Sequence, residues 1–213
     1  MRETLGSLPW PPAAHRGLDV LDIGCGEGFY LGTLAGERRM EAHGIDLSAS
    51  AVDLAARRYP AVHWFVVNAD RGLPYADASL DLALSLTSRR NAPEVRRVLR
   101  PEGHLIVAVP GEDDLLEPRE AVLGDRVRRN RVDSVLADFA PFFTTQSHRT
   151  LKRIVRLSPT EISDALAATY RGARDSERPR LAALGTMDVT LSYELFLFSP
   201  RVETGINERE HRP

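Results

Sequence analysis

Cysteine occurs once in these 213 residues, at Cys25, which excludes an internal disulfide and any metal site needing several thiolates. Lysine is as scarce. Lys152 is the sole example, so almost all positive charge is arginine. No stretch approaches the roughly 20 apolar residues of a membrane-spanning helix. The start, MRETLGSLPWPPAAHRG, has no apolar run of signal-peptide length. The six histidines, at 15, 43, 63, 104, 148 and 211, show no metal-ligand spacing, so no bound metal is expected. The expectation is a cytoplasmic chain with room for one sizeable α/β domain and short extensions.

The charge that is present is uneven. Formal net charge is −2 overall. Residues 1–88 hold 7 basic and 11 acidic side chains, whereas residues 89–180 hold 18 and 14. Arginine presents a planar fork suited to phosphate. The basic second half therefore suits a nucleic-acid surface, although arginine on solvated faces would give the same count.

Alternation of strand and helix patterns organises the first half. LDVLDIG (18–24), EAHGIDL (41–47), VHWFVVNA (62–69), LDLALSLT (80–87) and HLIVAVP (104–110) read as strands. GFYLGTLAGERR (28–39) reads as a helix, as does ASAVDLAARRY, capped by Ser48 and ended by Pro60. APEVRRVLRPEG reads as a short helix ended by Pro101 and Gly103. This order predicts a doubly wound, mostly parallel Rossmann-like sheet, with ligands beyond the carboxyl ends of its strands. Further on, 113–129 reads as helical, 140–158 as a strand with a mobile approach, and 171–180 as a polar loop. SPTEISDALAATY (158–170) opens with a capping box of Ser158 and Glu161. DVTLSYELFLF (188–198) is a late strand and 200–213 a loose tail.

The glycine turn after the first strand defines the candidate site. Gly24, Gly26 and Gly28 alternate as G-x-G-x-G, with Asp22 two residues before them. A nicotinamide-type fingerprint is spaced G-x-G-x-x-G instead. Glycines let backbone approach a ligand, and the helix beginning near Gly28 offers free amide groups. Asp22 suits an ammonium group and would repel a pyrophosphate. Asp46, ending the second strand, is placed to take both hydroxyls of a ribose. A ligand cationic at one end and a ribose at the other is S-adenosylmethionine.

On LDIGCGEG, GIDLS, LPYADASLDLALS and VLRPEGHLIVAVPG, in that order and spacing, the chain resembles the class I S-adenosylmethionine-dependent methyltransferases over about residues 18–110. The resemblance implies a seven-stranded sheet with an antiparallel late strand. It implies that Gly24, Gly26 and Gly28 line the methionine moiety and that Asp22 helps hold its amino group. Asp46, with Leu47 beside it, would bind the ribose. Asp70 would reach the adenine amino group, with Asn68 as its rival. Cys25 would be a small filler between glycines and not a nucleophile.

LTSRRNAPEVRRVLRPEGHL, VAVPGEDDLLEPREAVLG and TMDVTLSYELFLF are similar to the bacterial 23S rRNA guanine-N1 methyltransferases, over about 18–199. Those enzymes begin with a cysteine-rich zinc module for which this sequence has no ligand set. The likeness implies an rRNA substrate and RNA as partner, met by arginines around 89–100, 126–131, 149–156 and 171–180. Ser88, Arg89, Arg90 and Asn91 follow the fourth strand, where an acceptor should sit. The residues name no general base, so the catalytic group stays unknown. The expected organisation is an arm at 1–17, one methyltransferase domain at 18–199 and the tail. Within the domain, a cofactor half (18–110) precedes a substrate-side segment (111–185) and a closing strand (186–199). A small-metabolite methyltransferase and a non-catalytic cofactor-binding module are the alternatives, and a homodimer stays open.

Overall fold

The computed structural model describes residues 17–201 apart from 38, 89, 125–127 and 169–177. Residues 1–16 of the expected arm, the tail beyond 201, Arg89, Arg126 and most of the 171–180 loop lie outside the described residues.

Seven strands form one sheet in the order β3-β2-β1-β4-β5-β7-β6. They are β1 (Leu18–Ile23), β2 (Met40–Asp46), β3 (His63–Val66), β4 (Leu80–Leu86), β5 (Leu99–Pro110), β6 (Phe143–Leu157) and β7 (Met187–Pro200). β1 pairs in parallel with β2 and β4, β2 with β3, and β4 with β5. β7 runs antiparallel to both β5 and β6, which is the expected mostly parallel sheet with one reversed late strand. The helices are α1 (Phe29–Glu37), α2 (Ala49–Arg58), α3 (Ala92–Val98), α4 (Leu116–Leu123), α5 (Val132–Phe139), α6 (Pro159–Ala167) and α7 (Arg178–Ala182).

Strand periodicity sorts the core onto two faces. Leu21 and Ile23 of β1 join α3, α5, Phe143, Phe196 and Phe198 on one side. Leu18 and Val20 join Leu31 and Leu34 of α1, with Leu195 and Leu197, on the other. A third apolar cluster joins Leu115, Val122, Ile162, Leu166 and Val189. It packs α4 and α6 against the start of β7, so the segment after β5 forms a cap over one end of the sheet.

Four local expectations change. α3 ends at Val98, and Leu99 already pairs with Leu80. Pro101 and Gly103 fall within a register shift of β5 where it breaks between Leu80 and Leu82, so they mark a bulge and not a helix end. β3 is only His63–Val66, because beyond it the chain turns into the site loop, pinned by Val67 N–H to Asp46 O at 2.9 Å. The 113–129 stretch is helical only from Leu116 to Leu123; Gly124 in the left-handed region, φ 66°, ends it. α5 lies in a stretch to which the sequence pattern assigns no element, yet Val132, Val135, Leu136 and Phe139 bury one helical face against the sheet. By contrast Ser158 and Glu161 form the predicted capping box.

Candidate functional site

The carboxyl ends of β1, β2, β3 and β4 meet at one rim, and the glycine turn lies across it. Gly24, Gly26 and Gly28 all have positive φ, at 75°, 54° and 77°, a region that side-chain-bearing residues rarely enter. Space enforces the choice as well. A Cβ on Gly24 would stand 2.3 Å from Ser88 Cβ, and one on Gly28 2.5 Å from the Trp64 ring. The turn is fastened to β2 by Gly24 N–H and Cys25 N–H, which donate to Ile45 O at 2.8 and 3.0 Å.

Asp46 organises the next layer. Its Oδ2 accepts from Gly26 N–H at 2.9 Å and its Oδ1 from Ser48 N–H at 2.8 Å. One carboxylate thus ties the glycine turn to the start of α2, whose N-cap is Ser48. Each oxygen keeps a further acceptor lone pair, so the same group can still take ribose hydroxyls. Asn68 Oδ1 accepts from Asp70 N–H at 3.1 Å, and Asn91 Nδ2 donates to Ala69 O at 2.8 Å. Asn91 therefore shapes the loop after β3 and is not among the residues lining the larger of the two cavities at this rim.

Two cavities adjoin here. The smaller, about 300 Å³, is lined by Gly24, Asp46, Leu47, Asn68, Asp70, Thr87 and Ser88 among others. The larger, about 550 Å³, is lined by Thr87, Ser88, Arg90, Asp114, Arg119, Arg129, Arg131, Tyr193 and apolar residues of the cap. Thr87 and Ser88 belong to both. Thr87 has φ 60°, an outlier for a β-branched residue. It is held there by donating its N–H to Ala108 O at 2.8 Å and its hydroxyl to Leu86 O at 2.7 Å. Ser88 Oγ lies 2.9 Å from Ser85 Oγ.

The predicted cofactor residues therefore separate into two groups. Gly24, Asp46, Leu47, Asn68 and Asp70 line the smaller cavity. Asp22, Cys25, Gly26 and Gly28 do not line it and belong to the strand end and turn that carry Gly24. Asp22 is 2% exposed, and its Oδ1 has no hydrogen-bond partner. Burial, with the Asp46 charge adding to it, pushes its pKa up to about 7. A buried carboxylate with an unsatisfied oxygen beneath a glycine cradle matches a ligand that brings positive charge, so the donor set fits a sulfonium amino acid. Burial, reinforced by Asp22 and Asp46, also raises the Cys25 thiol pKa, which is the opposite of what a nucleophile needs.

Of the residues expected on the acceptor side, Ser88 and Arg90 line the larger cavity, and Arg89 lies outside the described residues. Arg90 pairs with Asp138 at 3.1 Å and donates to Ser134 Oγ at 3.0 Å, bracing α5. The expected arginine surface at 89–100 is reduced by internal commitments. Arg97 binds Glu94 and Asp77 and the carbonyls of Leu73 and Tyr75. Arg100 binds Asp19 and Asp81 at the opposite end of the sheet. Asp114, Arg119 and Tyr193 carry no motif that marks them as site residues, because they converge only through the cap and β7. Among the described residues no group of three or more metal-ligating side chains is found, and no helix is long and apolar enough to cross a membrane.

A family profile described as a methyltransferase domain matches residues 20–103. The 23S rRNA (guanine(748)-N(1))-methyltransferase of Streptomyces fradiae is 33% identical over 187 residues, or 85% of this chain and 66% of its own length. The O-methyltransferase cnsE of Penicillium expansum is 34% identical over 106 residues, or 44% of this chain and 38% of its own. The chain spans 66% or less of the length of the curated relatives it matches first. The solved YcgJ protein of Bacillus subtilis covers 94% of this chain and 97% of itself at TM-score 0.58 and 17% identity, a likeness of fold alone.

Proposed function

With the chain a member of the class I S-adenosylmethionine-dependent methyltransferases, we propose that it methylates a guanine ring nitrogen in ribosomal RNA. The observation that carries this is the reach of the Streptomyces fradiae likeness. It covers 85% of the chain and so includes the acceptor side, whereas the O-methyltransferase likeness covers 44%. The larger cavity supports it, because four arginines on its wall suit a phosphate-bearing or enol-forming acceptor.

The bound cofactor supplies an electrophilic methyl group. Residues 18–199 act as one unit around it: Asp46 and Leu47 hold the ribose side, Asp70 or Asn68 the adenine, and the glycine turn with Asp22 the amino-acid end. Ser88 and Arg90 belong to the acceptor side. Methyl transfer is an in-line displacement, so much of the rate comes from position. The junction at Thr87 and Ser88, common to both cavities, is where donor and acceptor meet. RNA is the partner in this reading, and a ribosomal substrate places the protein in the cytoplasm. Basic residues on the edge strand β6, among them Arg149 and Arg153, extend the contact.

The test is transfer of a tritiated methyl group onto unmodified bulk rRNA, compared with a small-metabolite pool. N1-methylguanosine in the digested RNA is the expected product. Label appearing only in a small molecule would replace the RNA reading, and tight cofactor binding without transfer to either would favour a non-catalytic module.

A further inference from the structure

An acidic group lies in the wall of the larger cavity. Among the described residues lining it, Asp114 is the only carboxylate, set against Arg90, Arg119, Arg129 and Arg131 and an otherwise apolar wall. The carboxylate is fixed in place. Its Oδ1 accepts from Ser192 N–H of β7 at 2.8 Å. The turn that carries it is pinned on both sides, by Gly111 N–H to Ser192 O and Leu115 N–H to Thr190 O, each at 2.8 Å. Leu115 is held at φ 52°, and Asp114 N–H closes the turn on Gly111 O at 3.2 Å. No described residue hydrogen-bonds its second oxygen.

Guanine supplies the complementary edge. Its N1–H and exocyclic amine are adjacent donors, which one carboxylate can accept together, while O6 and N7 are acceptors that arginine reads. N1 cannot be methylated while its in-plane lone pair is occupied by a proton. We propose that Asp114 faces the N1–H and amine of the acceptor guanine and receives the N1 proton. In that step the N1–H bond breaks and its proton passes to Asp114. The freed pair on N1 forms the bond to the methyl carbon. The carbon–sulfur bond breaks with its electrons left on sulfur as a neutral thioether, and Asp114 later returns the proton to solvent. An arginine of the same wall offsets the charge that grows on O6.

The charged and titratable groups around Asp114 are Arg119 of α4, Arg131 ahead of α5, its neighbour Asp113 and, on β7, Tyr193, with Arg90 and Arg129 on the cavity wall. Burial raises the Asp114 pKa, and the Ser192 N–H and the charges of Arg119 and Arg131 oppose that rise. A carboxylate moved up from its ordinary range is a stronger base towards the N1 proton.

The inference rests on the guanine reading above, and the experiment separates the two. Full-length protein is compared with Asp114→Asn and Asp114→Glu in three measurements. They are calorimetric S-adenosylmethionine affinity, cofactor-free binding of a guanine oligoribonucleotide against its inosine counterpart, and single-turnover methyl transfer across pH. Inosine lacks the exocyclic amine, so wild type should prefer guanine by about fivefold or more. Asp114→Asn should keep cofactor affinity within about twofold, lose the guanine preference, slow transfer by ~10²–10⁴ and lose the acid limb of the pH profile. Asp114→Glu should recover part of the rate. If wild type forms N1-methylguanosine and Asp114→Asn matches it in rate and preference, the Asp114 assignment is overturned and the guanine reading stands. A parallel fall in cofactor affinity and melting temperature would make the residue structural and likewise overturn it. If wild type methylates no guanine, both fall together.

Discussion

Asp22 should make cofactor affinity depend on pH in a range where ordinary aspartates are silent. Its pKa is raised from 3.8 to about 7, first by burial and then by Asp46. That rise corresponds to about 4 kcal/mol against the ionised form in the ligand-free chain. The folded chain therefore holds this proton more tightly than the unfolded chain between about pH 4 and 7. Stability from this group is greatest at low pH and declines as pH rises towards 7. A cationic ligand reverses the preference, because an ammonium group close to Asp22 favours the carboxylate. Cofactor binding below pH 7 should then release a proton from Asp22, and affinity should fall by up to about tenfold per pH unit below 7. Calorimetry with S-adenosylhomocysteine at pH 5.5, 6.25 and 7, repeated in buffers of different ionisation enthalpy, measures both quantities. Asp22→Asn should bind more weakly at pH 7 with a nearly flat profile, and its ligand-free melting temperature should gain on wild type as pH rises. An affinity that is constant from pH 5.5 to 7, or a mutant with the wild-type slope, would refute the argument that Asp22 senses the ligand's charge.

Other expectations follow from the same geometry. Gly24→Ala places a Cβ within 2.3 Å of Ser88 Cβ at φ 75°, so cofactor affinity should drop at least about tenfold; undiminished binding would show that Ser88 gives way. Asp46→Ala frees the Gly26 and Ser48 amides along with the ribose acceptor, and should cost ~2–4 kcal/mol of cofactor binding by calorimetry; unchanged affinity would remove Asp46 from the site. Arg90→Ala should slow methyl transfer more than it weakens cofactor binding, whereas an equal fall in both would make its Asp138 pairing the whole of its role. Cys25 should alkylate with iodoacetamide far more slowly at pH 8 than a free thiol, because burial and two carboxylates disfavour the thiolate; rapid labelling followed by mass spectrometry would contradict this.

The cofactor side was legible because its parts are local. A glycine turn, a strand-ending aspartate and a Ser cap are short patterns whose backbone demands can be read directly, and the structure brings Gly24, Asp46 and Asp70 to one cavity. What escaped reading depends on distant partners. The end of α3 was displaced because Leu99 finds Leu80 across the sheet, a pairing that overrides the Pro101 signal. α5 carries its signal in Val132, Val135, Leu136 and Phe139, but an eight-residue helix shows that period barely twice. Counting arginines also overstated the surface, since Arg97 and Arg100 face carboxylates of their own fold. Composition records charge, and only the fold records which charges are already paired.

Asp114 shows why the acceptor side resists sequence reading. Within 113–129, which reads as helical, Asp114 is one of several acids, with nothing in the sequence to separate it from Asp113. The fold gives the two different work. Asp113 pairs with Lys152, while Asp114 turns to Ser192, 78 residues away, and into the cavity. The wall around it comes from the ends of β4 and β5, from the cap and from β7, and no contiguous motif spans those. Thr87 and Ser88 are the exception, following directly from β4 and lining both cavities. A rim built from local turns can keep one cofactor while the cap and β7 change what is methylated. The discriminating residues must therefore be sought where the late strand crosses the acceptor cavity, at Ser192 and Tyr193 and the turn they hold.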